Sequence, residues 1–177
     1  MSTVIIKTKS NLMKKSFLII VIVGFLAIGL TEIQAQTTQP KLNQVELFKQ
    51  IIGNWKVDMA KDTVLYWDAK EFGTGLECTD KTYAKDKLIS EEKELYGYDS
   101  KLDKYVGVDL VKGGDIEVWV LWFTSNTKFE AVHLSDISNP DKATVKAEGE
   151  VKSPDAYLNN FIMNGKVILT YNFKRVK

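Results

Sequence analysis

After Gly53 the hydrophobic period of the chain becomes two and stays there. Trp55, Val57 and Met59 alternate with Asn54, Lys56 and Asp58. Phe129, Ala131 and His133 alternate with Lys128 and Glu130. Val145, Ala147, Gly149 and Val151 alternate with Lys146, Glu148, Glu150 and Lys152, and Val167, Leu169, Tyr171 and Phe173 with Thr170, Asn172 and Lys174. Each such run is a strand covered on one face and wet on the other. No stretch after Gly53 has a helical period long enough for a βαβ crossover, so the strands must pair antiparallel.

Turn residues fall between the runs: Asp99-Ser100-Lys101, Gly113-Gly114-Asp115, Ser125-Asn126, Ser138-Asn139-Pro140-Asp141, Ser153-Pro154-Asp155 and Asn164-Gly165. Asn164-Gly165 is the strongest hairpin cue, because both residues accept the positive φ of a type I′ turn. The runs amount to eight to ten strands. They must either stack as two sheets or close into a barrel, and consecutive hairpins favour nearest-neighbour connections over Greek-key crossings. The expected fold is therefore all-β: a closed antiparallel up-and-down barrel of 8–10 strands. A barrel of this size has an interior that side chains or one small ligand can fill.

One helix precedes it. Leu42, Val45, Phe48, Ile51 and Ile52 recur at helical spacing and stop at Gly53, the usual residue at a helix C-terminus. Further upstream, Lys7, Lys9, Lys14 and Lys15 lead into an apolar run from Phe17 to Leu30 that ends near Ala35. That order matches a cleaved export signal over residues 1–35, with Met13 as a second candidate start. The apolar run is short for a membrane span, and no cysteine follows it to carry a lipid. The expected organisation is a signal over 1–35, a disordered polar tail over 36–41 and one barrel domain over 42–177. The expected location is the periplasm or the exterior, with no stable membrane anchor after cleavage.

Residues 1–35 hold four Lys and one Glu, so their removal from a chain with 24 basic and 23 acidic residues leaves a net charge of −2. Such a balanced surface gives no electrostatic case for nucleic acid. Cys78 is the only cysteine, which excludes an internal disulfide or a thiolate metal cluster. Its alternating segment places it inward as a small apolar side chain.

A Trp on the inner face of the first strand, directly after a helix, would plug the closed end of the barrel. Arg175 continues the inward set of the last strand, and its planar guanidinium can stack on the Trp55 indole, closing the first strand against the last. Gly53, Asn54 and Trp55 after a short helix, with Arg175 near the end of the final strand, resemble the G-x-W signature and closing Arg of the lipocalin and wider calycin group. The stretch YGYDSKLDKYVG, residues 96–107, is similar to the G-Y-D hairpin and Tyr-Val of a secreted bacterial family of unknown function. The likeness spans residues 42–177. It implies a lipocalin-like barrel and no established reaction; the chain lacks the cysteine pair and further loop motifs of animal lipocalins, so their ligands do not carry over.

His133 is the only histidine, and its parity with Phe129 and Ala131 points it inward. It is read as a hydrogen-bonded or pocket-lining residue, with a haem ligand or an enzymatic base as lesser readings. The run Val118-Trp119-Val120-Leu121-Trp122-Phe123 is apolar on both faces, so one face meets the interior and the other the helix or a homodimer partner. Glu92, Glu94, Asp109 and Glu117 lie within strands. An inward pair could do glycosidase-type acid and base work, but their default place is the solvated face.

No phosphate loop, zinc-protease motif or nucleophile elbow is present. No catalytic residue, metal or cofactor is assigned, and the chain is not expected to be an enzyme. The leading expectation is an exported barrel that binds or sequesters a small apolar or amphipathic molecule, lined by Trp67, Tyr83, Trp119, Phe129, His133, Tyr171 and Phe173. The alternative is an interaction or structural barrel whose core those rings fill.

Overall fold

The computed structural model describes residues 41–177. The expected signal over 1–35 and the tail up to Gln39 and Pro40 lie outside those residues. A short helix, α1 (Gln44–Phe48), runs through a 3-10 turn (Lys49–Ile51) into ten strands. These are β1 (Gly53–Ala60), β2 (Thr63–Phe72), β3 (Gly75–Ala84), β4 (Lys87–Asp99), β5 (Lys104–Val111), β6 (Ile116–Phe123), β7 (Lys128–His133), β8 (Val145–Ser153), β9 (Ala156–Met163) and β10 (Lys166–Arg175). Every strand pairs antiparallel with its sequence neighbours, and β1 pairs with β10, so the sheet closes into an up-and-down barrel. Among the described residues no helix is long and apolar enough to cross a membrane.

The tight turns follow from their chemistry. Asn164 and Gly165 both adopt positive φ, as the hairpin between β9 and β10 requires. Asp62, Lys85 and Asp86 take the same region in the hairpins after β1 and β3, where no glycine marks the turn. In the β4–β5 loop the Asp99 carboxylate accepts hydrogen bonds from the N–H groups of Lys101 (2.8 Å) and Leu102 (3.1 Å), while the Tyr98 hydroxyl donates to Asp103. The G-Y-D hairpin is thus held by its own side chains.

Helix α1 covers one end of the barrel. Asn43 caps it by accepting from the Glu46 N–H at 3.2 Å. Phe48 packs against Tyr105 and Phe123 with ring centroids 3.9 and 5.2 Å apart. Gln44, one of the polar residues between the apolar positions of the helix, is nevertheless buried. Its amide donates to the Phe123 carbonyl (3.0 Å) and accepts from the Phe123 N–H (2.7 Å), pairing with the last residue of β6 as a further strand would.

At the same end Trp55 and Arg175 are register partners across the β1–β10 seam, with the guanidinium carbon 4.0 Å from the indole centroid. Arg175 also donates to the carbonyls of Ile52 (2.7 Å), Gln50 (3.2 Å) and Pro154 (2.8 Å), and the Trp55 N–H donates to Ile51 (2.8 Å). Gly53 sits at φ +131°, and a Cβ there would lie 2.1 Å from an Arg175 nitrogen. The glycine is required because the guanidinium occupies the space a side chain would fill.

The two-faced run in β6 divides as its alternation demands. Trp119, Leu121 and Phe123 face inward. Val120 and Trp122 face outward and form a small cluster with Val132, Val106, Ile137 and Ala143, covered by the β7–β8 connection, while Lys104 stacks over Trp122 at 3.6 Å. This face, expected to meet the helix or a second copy, is covered by a loop of the same chain.

Candidate ligand-binding cavity

The inner wall encloses a cavity of about 420 Å³ between the helix-capped end, where Phe48 and Ile51 line it, and the opposite end, where Thr82, Ser90 and Val111 do. Of the residues expected to line the interior, Trp67, Trp119, Phe129, Tyr171 and Phe173 do so. Tyr157 stacks on Phe173 with centroids 4.2 Å apart and meets Trp67 edge-on, making one aromatic wall.

Two expected lining residues lie elsewhere. Tyr83 points outward: Cys78 is inward, alternation places Asp80 and Thr82 inward with it, and Tyr83 falls on the other face, in edge contact with Tyr66. His133 continues the inward parity of Phe129 and Ala131 but sits at the end of β7. It is half-buried, its ring 4.0 Å from that of Trp119, and it is not part of the cavity lining.

The larger correction concerns the carboxylates. Glu92, Glu94, Asp109 and Glu117, expected on the solvated face, all line the cavity, and Asp80 joins them. Register explains the grouping. Asp80 faces Glu92 across β3–β4, Glu94 faces Asp109 across β4–β5, and Asp109 faces Glu117 across β5–β6, giving an acidic belt over four strands. Carboxylate oxygens of Glu92, Glu94 and Asp109 lie within 4.8 Å of one another.

Hydrogen bonds fix the belt in place. The buried Tyr96 hydroxyl donates to Asp109 at 2.6 Å, the Trp67 N–H to Glu94 at 3.2 Å and the Trp119 N–H to Glu117 at 3.0 Å. Tyr96 can lie flat over the barrel wall because its register partner is Gly107, where a Cβ would fall 1.9 Å from the ring. The Oδ1 atoms of Asp80 and of Asn159, the latter on β9, are buried without a hydrogen-bond partner among the described residues.

Burial and mutual repulsion shift these groups together. Burial above all, with Glu92 beside it, raises Asp80 to about 7. Burial raises Asp109 to about 7 against the pull of the Tyr96 hydroxyl. Burial, then Asp80 and Asp109, hold Glu94 well above the usual carboxylate range, and burial followed by Glu117 raises Glu92. Burial also pushes the Cys78 thiol up, so it is an inert core group and no nucleophile.

Confining acids in this way disfavours their charged forms and weakens the fold at neutral pH. Strongly perturbed, clustered groups in a cleft are the mark of a site that handles charge or protons. No family model matches the chain, and no curated protein matches it.

Proposed function

We propose that the protein is an exported barrel that binds and sequesters one small amphipathic molecule in its interior. The observation that carries this reading is the cavity itself: about 420 Å³, lined by aromatic rings interspersed with polar groups. Ligand sites have this size and this mixture of apolar walls with a few placed polar groups. Kinship with lipocalin-type barrels, suggested by Gly53, Trp55 and Arg175, agrees with such a role, and the basic and apolar N-terminal segment supports export.

Native mass spectrometry of protein isolated from the envelope or medium of its own host tests the reading. The expected spectrum carries one retained small molecule that is released on denaturation. In the variant Ala147→Phe, which fills the cavity from β8, the adduct is expected to disappear. A wild-type protein that carries no adduct and takes up no neutral apolar dye would favour the alternative of a filled structural barrel.

A further inference from the structure

We propose that the cavity is built for a cation, and that its ligand is an organic ammonium: an amine head held by Asp80, Glu94 and Asp109, with a short apolar body among the rings of Trp67, Trp119 and Phe173. This inference rests on the reading of the barrel as a ligand carrier.

Among the described residues five carboxylates line the chamber, and no lysine or arginine lines it with them. The basic residues nearby in sequence are engaged elsewhere. Lys81 and Lys112 pair with Glu91, Lys93 donates to Thr79, and Arg175 is committed to Trp55 and three carbonyls at the closed end. Buried acids without a countercharge are expensive to keep, and a bound cation supplies what the protein omits.

A second observation, independent of the belt, points the same way. Asn159 reaches the cavity from β9, away from the acidic strands β3 to β6, and its buried amide oxygen lacks a donor. Asp80, whose side chain is hydrogen-bonded to Glu94, also has its Oδ1 buried without a donor among the described residues. Both are acceptors. An ammonium group brings three donors and no acceptor, which is the complement of this lining. The indoles of Trp67 and Trp119 are tied to Glu94 and Glu117 through their N–H groups. Indole faces attract cations, and the rings also provide apolar area. A bare divalent ion would use the carboxylates of Glu92, Glu94 and Asp109 and leave the aromatic rings of the lining unused.

Isothermal titration at pH 8 with three probes of one skeleton, octylamine, octanol and octanoate, tests the proposal on the wild-type chain. Octylamine is expected to bind at least about tenfold more tightly than octanol, the scale of one charge-assisted hydrogen bond, with octanoate weakest. In a variant carrying Asp80→Asn and Glu94→Gln that keeps the wild-type circular dichroism, the preference of amine over alcohol is expected to collapse to about twofold or less. Octanol binding as tightly as octylamine to the wild type would overturn the cationic ligand and leave the carrier reading standing. Failure of all three probes to bind would overturn this proposal, while the carrier reading stands or falls on the native mass spectrum and the dye. Calcium or magnesium binding that excludes octylamine would overturn the proposal in favour of a metal site.

Discussion

Arg175 stacks on Trp55 across the only seam at which the ends of the strand sequence meet, and its guanidinium also donates to three backbone carbonyls from two separate segments. One side chain therefore joins β1, β10, the 3-10 turn and the β8–β9 hairpin. Replacing it with Ala removes the stack and leaves carbonyls without donors, so Arg175→Ala is expected to lower stability by about 3 kcal/mol in urea unfolding. Arg175→Lys should recover less than half of this, since a point ammonium cannot stack and fork at once.

Gly53 and Arg175 are coupled by the 2.1 Å approach that a Cβ would make to the guanidinium. Gly53→Ala alone is expected to cost about 2–3 kcal/mol from strain at φ +131° plus the clash. In an Arg175→Ala background the clash is absent and only the backbone strain remains. A double-mutant cycle by chemical denaturation should therefore show a coupling of about 1 kcal/mol or more, and strict additivity would contradict the contact.

The acidic belt makes stability depend on pH in an unusual direction. Asp109 rises from 3.8 to about 7 on folding, so the folded state binds its proton more tightly than the unfolded chain does. Its favourable contribution is complete below about pH 4 and is lost as pH rises through about 7. Asp80, Glu92 and Glu94 act with the same sign. The melting temperature should rise as the buffer goes from pH 8 to pH 5. Asp109→Asn keeps an acceptor for the Tyr96 hydroxyl and removes the charge, so at pH 8 it should be more stable than the wild type by about 2–4 kcal/mol. That advantage should fade towards pH 4.

Gln44 holds the helix to the barrel through two buried hydrogen bonds with Phe123. Gln44→Leu has similar volume but leaves the Phe123 N–H and carbonyl unpaired. It is expected to cost about 2–3 kcal/mol and to speed amide exchange at Phe123. Unchanged exchange there would show that the pair does not anchor the helix.

The architecture was legible because its signals are local. Alternation after Gly53, the Asn164-Gly165 turn and hairpins between neighbours lead directly to a closed meander, and Trp55 with Arg175 marks its seam. The acidic interior was hidden because β4 carries charge on both faces. Glu91 and Lys93 point outward while Glu92 and Glu94 point inward, and Leu95 is 53% exposed beside them. Polarity cannot choose a face in such a strand, and the inversion of Glu94 and Leu95 breaks the usual pattern at the cavity wall. One inference within reach was that Cys78 inward implies Asp80 inward and Tyr83 outward. Gln44 had no such signal, because a buried amide in a helix reads as a polar surface position until its partner strand is known.

The central claim is that the barrel interior holds a cluster of buried acids, Asp80 and Asp109 among them raised to about 7, for a bound partner. Carbon-detected NMR titration of the side-chain carboxyls of Asp80 and Asp109 tests it most directly, first in the free protein and then with octylamine bound. Midpoints near 7 in the free protein that fall by at least about one unit on amine binding are the expected result. Midpoints near the ordinary aspartate value of about 3.9, unmoved by the amine, would contradict it.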